Sequence, residues 1–163
     1  MEDSLVLSSI ARQYQASLKM LREAIELCPE ELWVGVEHCN PFWRIAYHTL
    51  FYAHLYIQAN EEEFQSWPKH RESTRMLNPR SAEEPTLAPY SKAELLEYHD
   101  FCCAEIAAKV PETKLDSDSG FYWLPFNKFE LQLYNIRHIQ HHTGQLTDRL
   151  RQASDVGVHW VGR

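Results

Sequence analysis

Apolar residues recur at three- and four-residue spacing over four long stretches of the chain, and polar or proline-bearing segments divide them. This period is that of one buried helical face, so four helices are predicted. The first runs from about Leu5 to Leu27, with Leu7, Ile10, Tyr14, Leu18, Leu21 and Ile25 on its stripe and Pro29 beyond its end. The second begins near Pro41, a good first-turn residue behind the capping candidate Asn40, and continues to about Asn60. The third opens on Ser91-Lys92-Ala93-Glu94, which has the form of a capping box, and ends near Lys109 ahead of Pro111. The fourth spans about Asn127 to Gln152. Glycine is scarce, five in all, and the prolines fall between the periodic stretches. The expected fold class is therefore all-α, a four-helix bundle forming one domain over residues 1–163.

Two parts of this pattern are unusual. Residues Glu61 to Tyr90 make a long polar connection between helices two and three, with Pro68, Pro79, Pro85 and Pro89. That length suits a crossover loop over one end of a bundle, held down by Phe64 and Trp67. The second helix is apolar on nearly every side. Ile45, His48, Phe51, Tyr52 and Leu55 share one face, while Trp43, Leu50 and Ile57 point elsewhere. Such a helix must be covered all round, either by the long loop or by a second copy of the chain, and the expectation is a homodimer. The five tryptophans are expected to anchor core and loops. The tail from Ser154 is expected to pack as a short extended arm.

Composition narrows the class. With 23 acidic against 16 basic residues, net −7, the chain lacks the basic face of a general nucleic-acid binder. It has no uncharged apolar run long enough to span a membrane. The start, Met1-Glu2-Asp3-Ser4, has no basic n-region, so a cytoplasmic address is expected. Cys28, Cys39, Cys102 and Cys103 form no C-x-x-C and read as reduced thiols, mostly core filler.

The candidate chemistry lies in Arg137-His138-Ile139-Gln140-His141-His142-Thr143-Gly144-Gln145-Leu146. His138 and His142 are four residues apart, one above the other on a helix, and can offer two imidazoles to one ion. Nine histidines in 163 residues give roughly half of one such pair by chance, so spacing alone is weak. Both, however, fall on the side that carries Leu131, Tyr134 and Leu146. A third imidazole, His48, sits on an apolar face of the second helix. Taken singly it reads as a core histidine bonded to a buried Tyr or Asn. Three inward imidazoles read better as ligands of one divalent ion, with open positions for water or substrate. Such an ion, uncompensated by any carboxylate, lowers the pKa of bound water and favours a thiolate. Tyr52, Asn135 and Gln145 share the face and are candidates to bind a cofactor or orient ligands. His141 points about 100° away from His142 and His99 has a face of its own, so each is a weaker candidate ligand. His38, His54, His70 and His159 are expected to be solvated, and Gly144 to let a neighbouring helix approach closely.

These two segments, Pro41-Phe42-Trp43-Arg44-Ile45-Ala46-Tyr47-His48-Thr49-Leu50-Phe51 and His138 to Leu146, resemble the DinB-like superfamily, whose last helix carries H-x-x-x-H, one further residue, then Gly-Gln. The resemblance implies a four-helix bundle, commonly dimeric, and metal ligation by His48, His138 and His142. It implies zinc or nickel as the ion. Where members have known activity, it implies transfer or isomerisation with a low-molecular-weight thiol acting on a small-molecule substrate. Thr143 stands where an arginine is frequent, so the role of that arginine does not carry over. A thiol-dependent transferase or a hydrolase is the expected enzyme. A non-catalytic dimer with a structural metal, or a metal- or stress-responsive module, is the alternative.

Overall fold

The computed structural model describes residues 2–71, 73–77 and 87–162 and is all-helical, without a strand among them. Helix α1 spans Glu2–Leu27, a short α2 Glu30–Trp33, α3 Phe42–Leu55, α4 Lys92–Lys109 and α5 Lys128–Ser154; a 3-10 turn, Val110–Glu112, follows α4. Four of the helices are long, and none is apolar enough over its length to cross a membrane.

Local chemistry sets most of the boundaries. Ser91 Oγ accepts from the Glu94 amide while Glu94 answers on the Ser91 amide, the reciprocal capping box. Asn127 caps α5 through the Glu130 amide. The start of α3 differs from expectation. Pro41, not Asn40, is its N-cap and offers no side-chain bond, and α3 ends at Leu55, with turns covering 56–59, instead of reaching Asn60. The expected stripe of α1 is buried from Ile10 to Ile25.

Cross-helix bonds give the relative directions. Tyr14 donates to Gln132 at 2.9 Å and Gln140 to the Met20 sulfur at 3.5 Å, so α1 and α5 run parallel. Asn135 donates to the Ala53 carbonyl and Arg149 to that of Asn40, so α3 and α5 are antiparallel. Cys102 reaches the Leu50 carbonyl and Lys109 reaches Gln58, which makes α3 and α4 parallel. The chain from Tyr56 to Ser91 must therefore travel back along α3, about 20 Å at 1.5 Å per residue.

Aromatic packing holds that return path. Trp67, 3% exposed, stacks on Tyr98 with centroids 4.6 Å apart, and Tyr90 stacks on Tyr47 at 4.7 Å. Phe64 meets Phe51 edge-on at 5.3 Å. Pro79 and Pro85 of this connection lie outside the described residues. Nearly every residue of α3 is buried, including Trp43, Leu50 and His54 on its different sides. Helices α4 and α5 and the connection cover it within one chain, so this helix by itself creates no need for a second copy.

Several residues expected in water are not there. His54 is buried between Phe64 and Phe101, with the Tyr98 hydroxyl 3.3 Å from Nδ1 and Glu105 3.9 Å from Nε2. Its helical neighbours pull it inward, and burial lowers its pKa to about 4. His70 is half-buried, 2.5 Å from the Tyr47 hydroxyl. Conversely, Trp160 is 82% exposed and anchors nothing in the core, and Trp123 is more than one-third exposed. The tail does lie as an extended arm, with Val156 and Val158 against the core and the His159 amide on Glu23. Cys28 and Cys102 are buried, Cys103 is half-buried and Cys39 is exposed.

Replacing Trp67 with alanine removes the stack that ties the connection to α4, and should cost about 3–5 kcal/mol in chemical denaturation. For His54, the unfolded chain takes a proton near pH 6.5 and the folded chain does not until about pH 4. Its contribution to stability is thus retained above pH 6.5 and lost as the pH falls, by about 2 kcal/mol at pH 5. A His54→Leu variant should show a correspondingly shallower loss of stability between pH 7 and pH 5.

Candidate metal centre

Helix α3 presents His48 and helix α5 presents His138 and His142, and each of these rings offers one nitrogen to a cluster whose ligand atoms all lie within 4.8 Å of one another. The antiparallel pairing of the two helices makes this possible, because it sets the middle of α3 against the middle of α5. Ring centroids are 4.7 Å apart for His48 and His142, 4.6 Å for His138 and His142, and 5.1 Å for His48 and His138. His142 is buried and the other two are half-buried.

Hydrogen bonds outside the cluster orient the rings. His48 Nδ1 lies 2.7 Å from the Arg75 carbonyl, which can only accept, so Nδ1 carries the proton and the Nε2 lone pair is left to face inward. His142 Nδ1 donates to Gln145 Oε1 at 2.8 Å in the same manner. The Nε2 atoms of His48 and His138 are 3.1 Å apart. Two nitrogens about 2.0–2.1 Å from a common ion lie about 3.0–3.4 Å apart at angles near tetrahedral, so the spacing fits a divalent cation. Among the described residues no carboxylate or thiolate joins the cluster. Three neutral donors with no fourth protein ligand are the donor set of an open site.

Electrostatics keep the donors unprotonated. Burial lowers His138 to a pKa of about 3, helped by the neighbouring His142 and His48. Burial likewise lowers His48 to about 4, against the opposing effect of the Arg75 carbonyl, and also lowers His142. Neutral imidazole is the form that binds a metal. His138 turns Nε2 towards His48, and its Nδ1 is buried with no hydrogen-bond partner among the described residues.

The surrounding residues divide. Tyr52 stands beside the cluster, its ring 4.7 Å from that of His48 and 5.6 Å from that of His138, and its hydroxyl donates to the Met76 sulfur at 3.6 Å. Gln145 is exposed and acts on His142. Asn135 is wholly buried but ties α5 to the backbone of α3 at Ala53, and its Oδ1 has no partner. That bond positions α5 against α3. His141 is exposed beside His142, and His99 is bonded to the Leu18 carbonyl on the other side of the core. Gly144 faces open space, so it serves no close helix approach as expected. Sequence reasoning missed Arg75 and Met76, which reach the site through a carbonyl and a sulfur; neither atom has a pattern in sequence.

No family model matches the chain, and no curated protein or solved structure matches it either. The three histidines can hold a metal ion on their own geometry.

Gln145 is exposed and bears on the cluster through one bond, so Gln145→Leu should leave thermal stability nearly unchanged. The same change should weaken zinc or nickel binding by about 10- to 100-fold in competition with a chromophoric chelator.

Proposed function

We propose that the chain is a divalent-metal protein of the DinB-like kind, a four-helix bundle with the 56–91 connection as its crossover loop. In this reading zinc or nickel is held by His48, His138 and His142. The single observation that carries it is the convergence of three imidazole nitrogens within 4.8 Å, with no fourth protein ligand among the described residues. The activity that suits such a site is metal-dependent chemistry on a small molecule, as a thiol-dependent transferase or a hydrolase. When bound, the ion supplies positive charge that favours a deprotonated sulfur or oxygen ligand.

The chain's own groups have defined parts. Arg75, through its carbonyl, and Gln145 hold His48 and His142 in the ligating tautomer. Tyr52 closes one side of the cluster, and burial raises its hydroxyl pKa, so it stays protonated and able to donate to a substrate group. The segment 73–77 lies against α3 beside the cluster, since Arg75 and Met76 both bond to α3 residues there. Among the described residues no carboxylate joins the cluster as a general base, which favours transfer of a thiol over hydrolysis.

Metal-free protein dialysed against zinc or nickel should take up close to one ion per chain. His48→Ala, His138→Ala and His142→Ala should each weaken that uptake by about 100-fold or more. Cobalt-loaded protein should gain a sulfur-to-metal charge-transfer band on addition of 2-mercaptoethanol, because an open site admits a thiolate. Wild-type protein that takes up neither metal removes the reading altogether. A cobalt spectrum unchanged by thiol would leave a metal protein whose site is closed to thiols.

A further inference from the structure

A recess lies at the far end of α3 from the histidines, where the chain leaving Leu55 meets the end of α4 and the start of α5. Its volume is about 760 Å³, within the range of small-molecule sites, and its lining includes Ile57, Gln58, Ala108, Lys109, Lys128 and Gln132. Gly120 helps build the neighbouring wall. It adopts φ +84°, and a Cβ there would sit 2.0 Å from the Ala59 carbonyl, so the 113–127 link can lie against the end of α3 only with glycine at this point.

Lys128 is the unusual group. It is only 7% exposed, yet among the described residues its Nζ has a single hydrogen-bond acceptor, the Gln58 carbonyl at 2.7 Å. The Phe121 ring, 5.3 Å from Nζ, is its other attractive contact. Glu63 acts on it only through space, and burial lowers the ammonium to about 8. Both close contacts favour the charged amine: a carbonyl oxygen and an aromatic face each attract a cation. Lys109 differs, because Glu105 neutralises it 3.0 Å away. A buried ammonium without a counter-ion is costly, and the adjoining recess is the place where one would sit. Glu63, Glu112 and Asp118 stand at the exposed rim, where solvent and salt screen them; Lys128 is not so screened.

We propose that this recess is a binding site for a small organic carboxylate, whose anionic end pairs with Lys128 and whose apolar body lies against Ile57 and Ala108. Gln58 and Gln132 stand beside the carboxylate, and Gln132 is held in place by the Tyr14 hydroxyl and the Lys128 carbonyl. The site is independent of the metal centre and of the function proposed for it.

Octanoate, with octan-1-ol as the uncharged control, is a suitable probe on the full-length 15N-labelled protein. Octanoate should shift the amides of Ile57, Gln58, Ala108 and Gln132 in a saturable manner, and octanol should not. Lys128→Met, which keeps the length of the side chain and removes its charge, should weaken octanoate binding by about tenfold or more. In the wild type, the titration midpoint of the Lys128 ε-methylene, followed by 13C NMR, should rise by about one unit or more with octanoate bound. This last measurement needs no variant and stands if Lys128→Met fails to fold. Equal shifts from octanoate and octanol, unchanged octanoate binding in Lys128→Met, or a Lys128 midpoint that octanoate does not move would each overturn the proposal.

Discussion

The proton that His48 gives to the Arg75 carbonyl decides the character of the histidine cluster. A carbonyl cannot donate, so this bond leaves only one tautomer for His48 and turns its lone pair towards His138 and His142. It also spans 27 residues of sequence, from the middle of α3 to the connection that follows it. The same bond therefore fixes the path of the connection and the electronic state of the site. Were that segment to lie elsewhere, His48 would lose its partner, and the cluster would be three rings in contact without a common orientation.

That dependence follows from helix direction. Parallel α3 and α4 require a long return, and antiparallel α3 and α5 bring His48 opposite His138 and His142. Helix α3 is consequently enclosed by two helices and by its own return segment, which explains a helix with almost no solvated side. Its two ends then differ chemically. The middle and first half meet histidines from α5. Beyond its last turn the Gln58 carbonyl accepts from the Lys128 ammonium. Neutral donors at one place and an unneutralised cation at the other are distinct environments on a single rod.

Much of this was legible in the residues. The capping box at Ser91, the Asn127 cap and the stripe of α1 gave three helices nearly to their true ends, because these signals are local. His48, His138 and His142 were legible because i,i+4 spacing and apolar surroundings are properties of one helix at a time. The failures share a cause. His54 is expected in water and Trp160 as an anchor of core or loop, yet His54 is enclosed by Phe64 and Phe101 while Trp160 is 82% exposed. Neither neighbour relation exists until distant segments meet. The same holds for Gly144, which faces open space where a close helix approach is expected.

Hydrophobic period, capping residues and proline placement determined by themselves that the chain forms four long helices and that three imidazoles face inward, since each depends only on residues within a turn or two. Tertiary structure alone decided that those imidazoles meet, that His48 and His142 carry their protons on Nδ1, and that Lys128 is buried with no ion pair among the described residues. These depend on the relative direction of helices and the course of the connection, and so on contacts between residues far apart in sequence that no local pattern encodes.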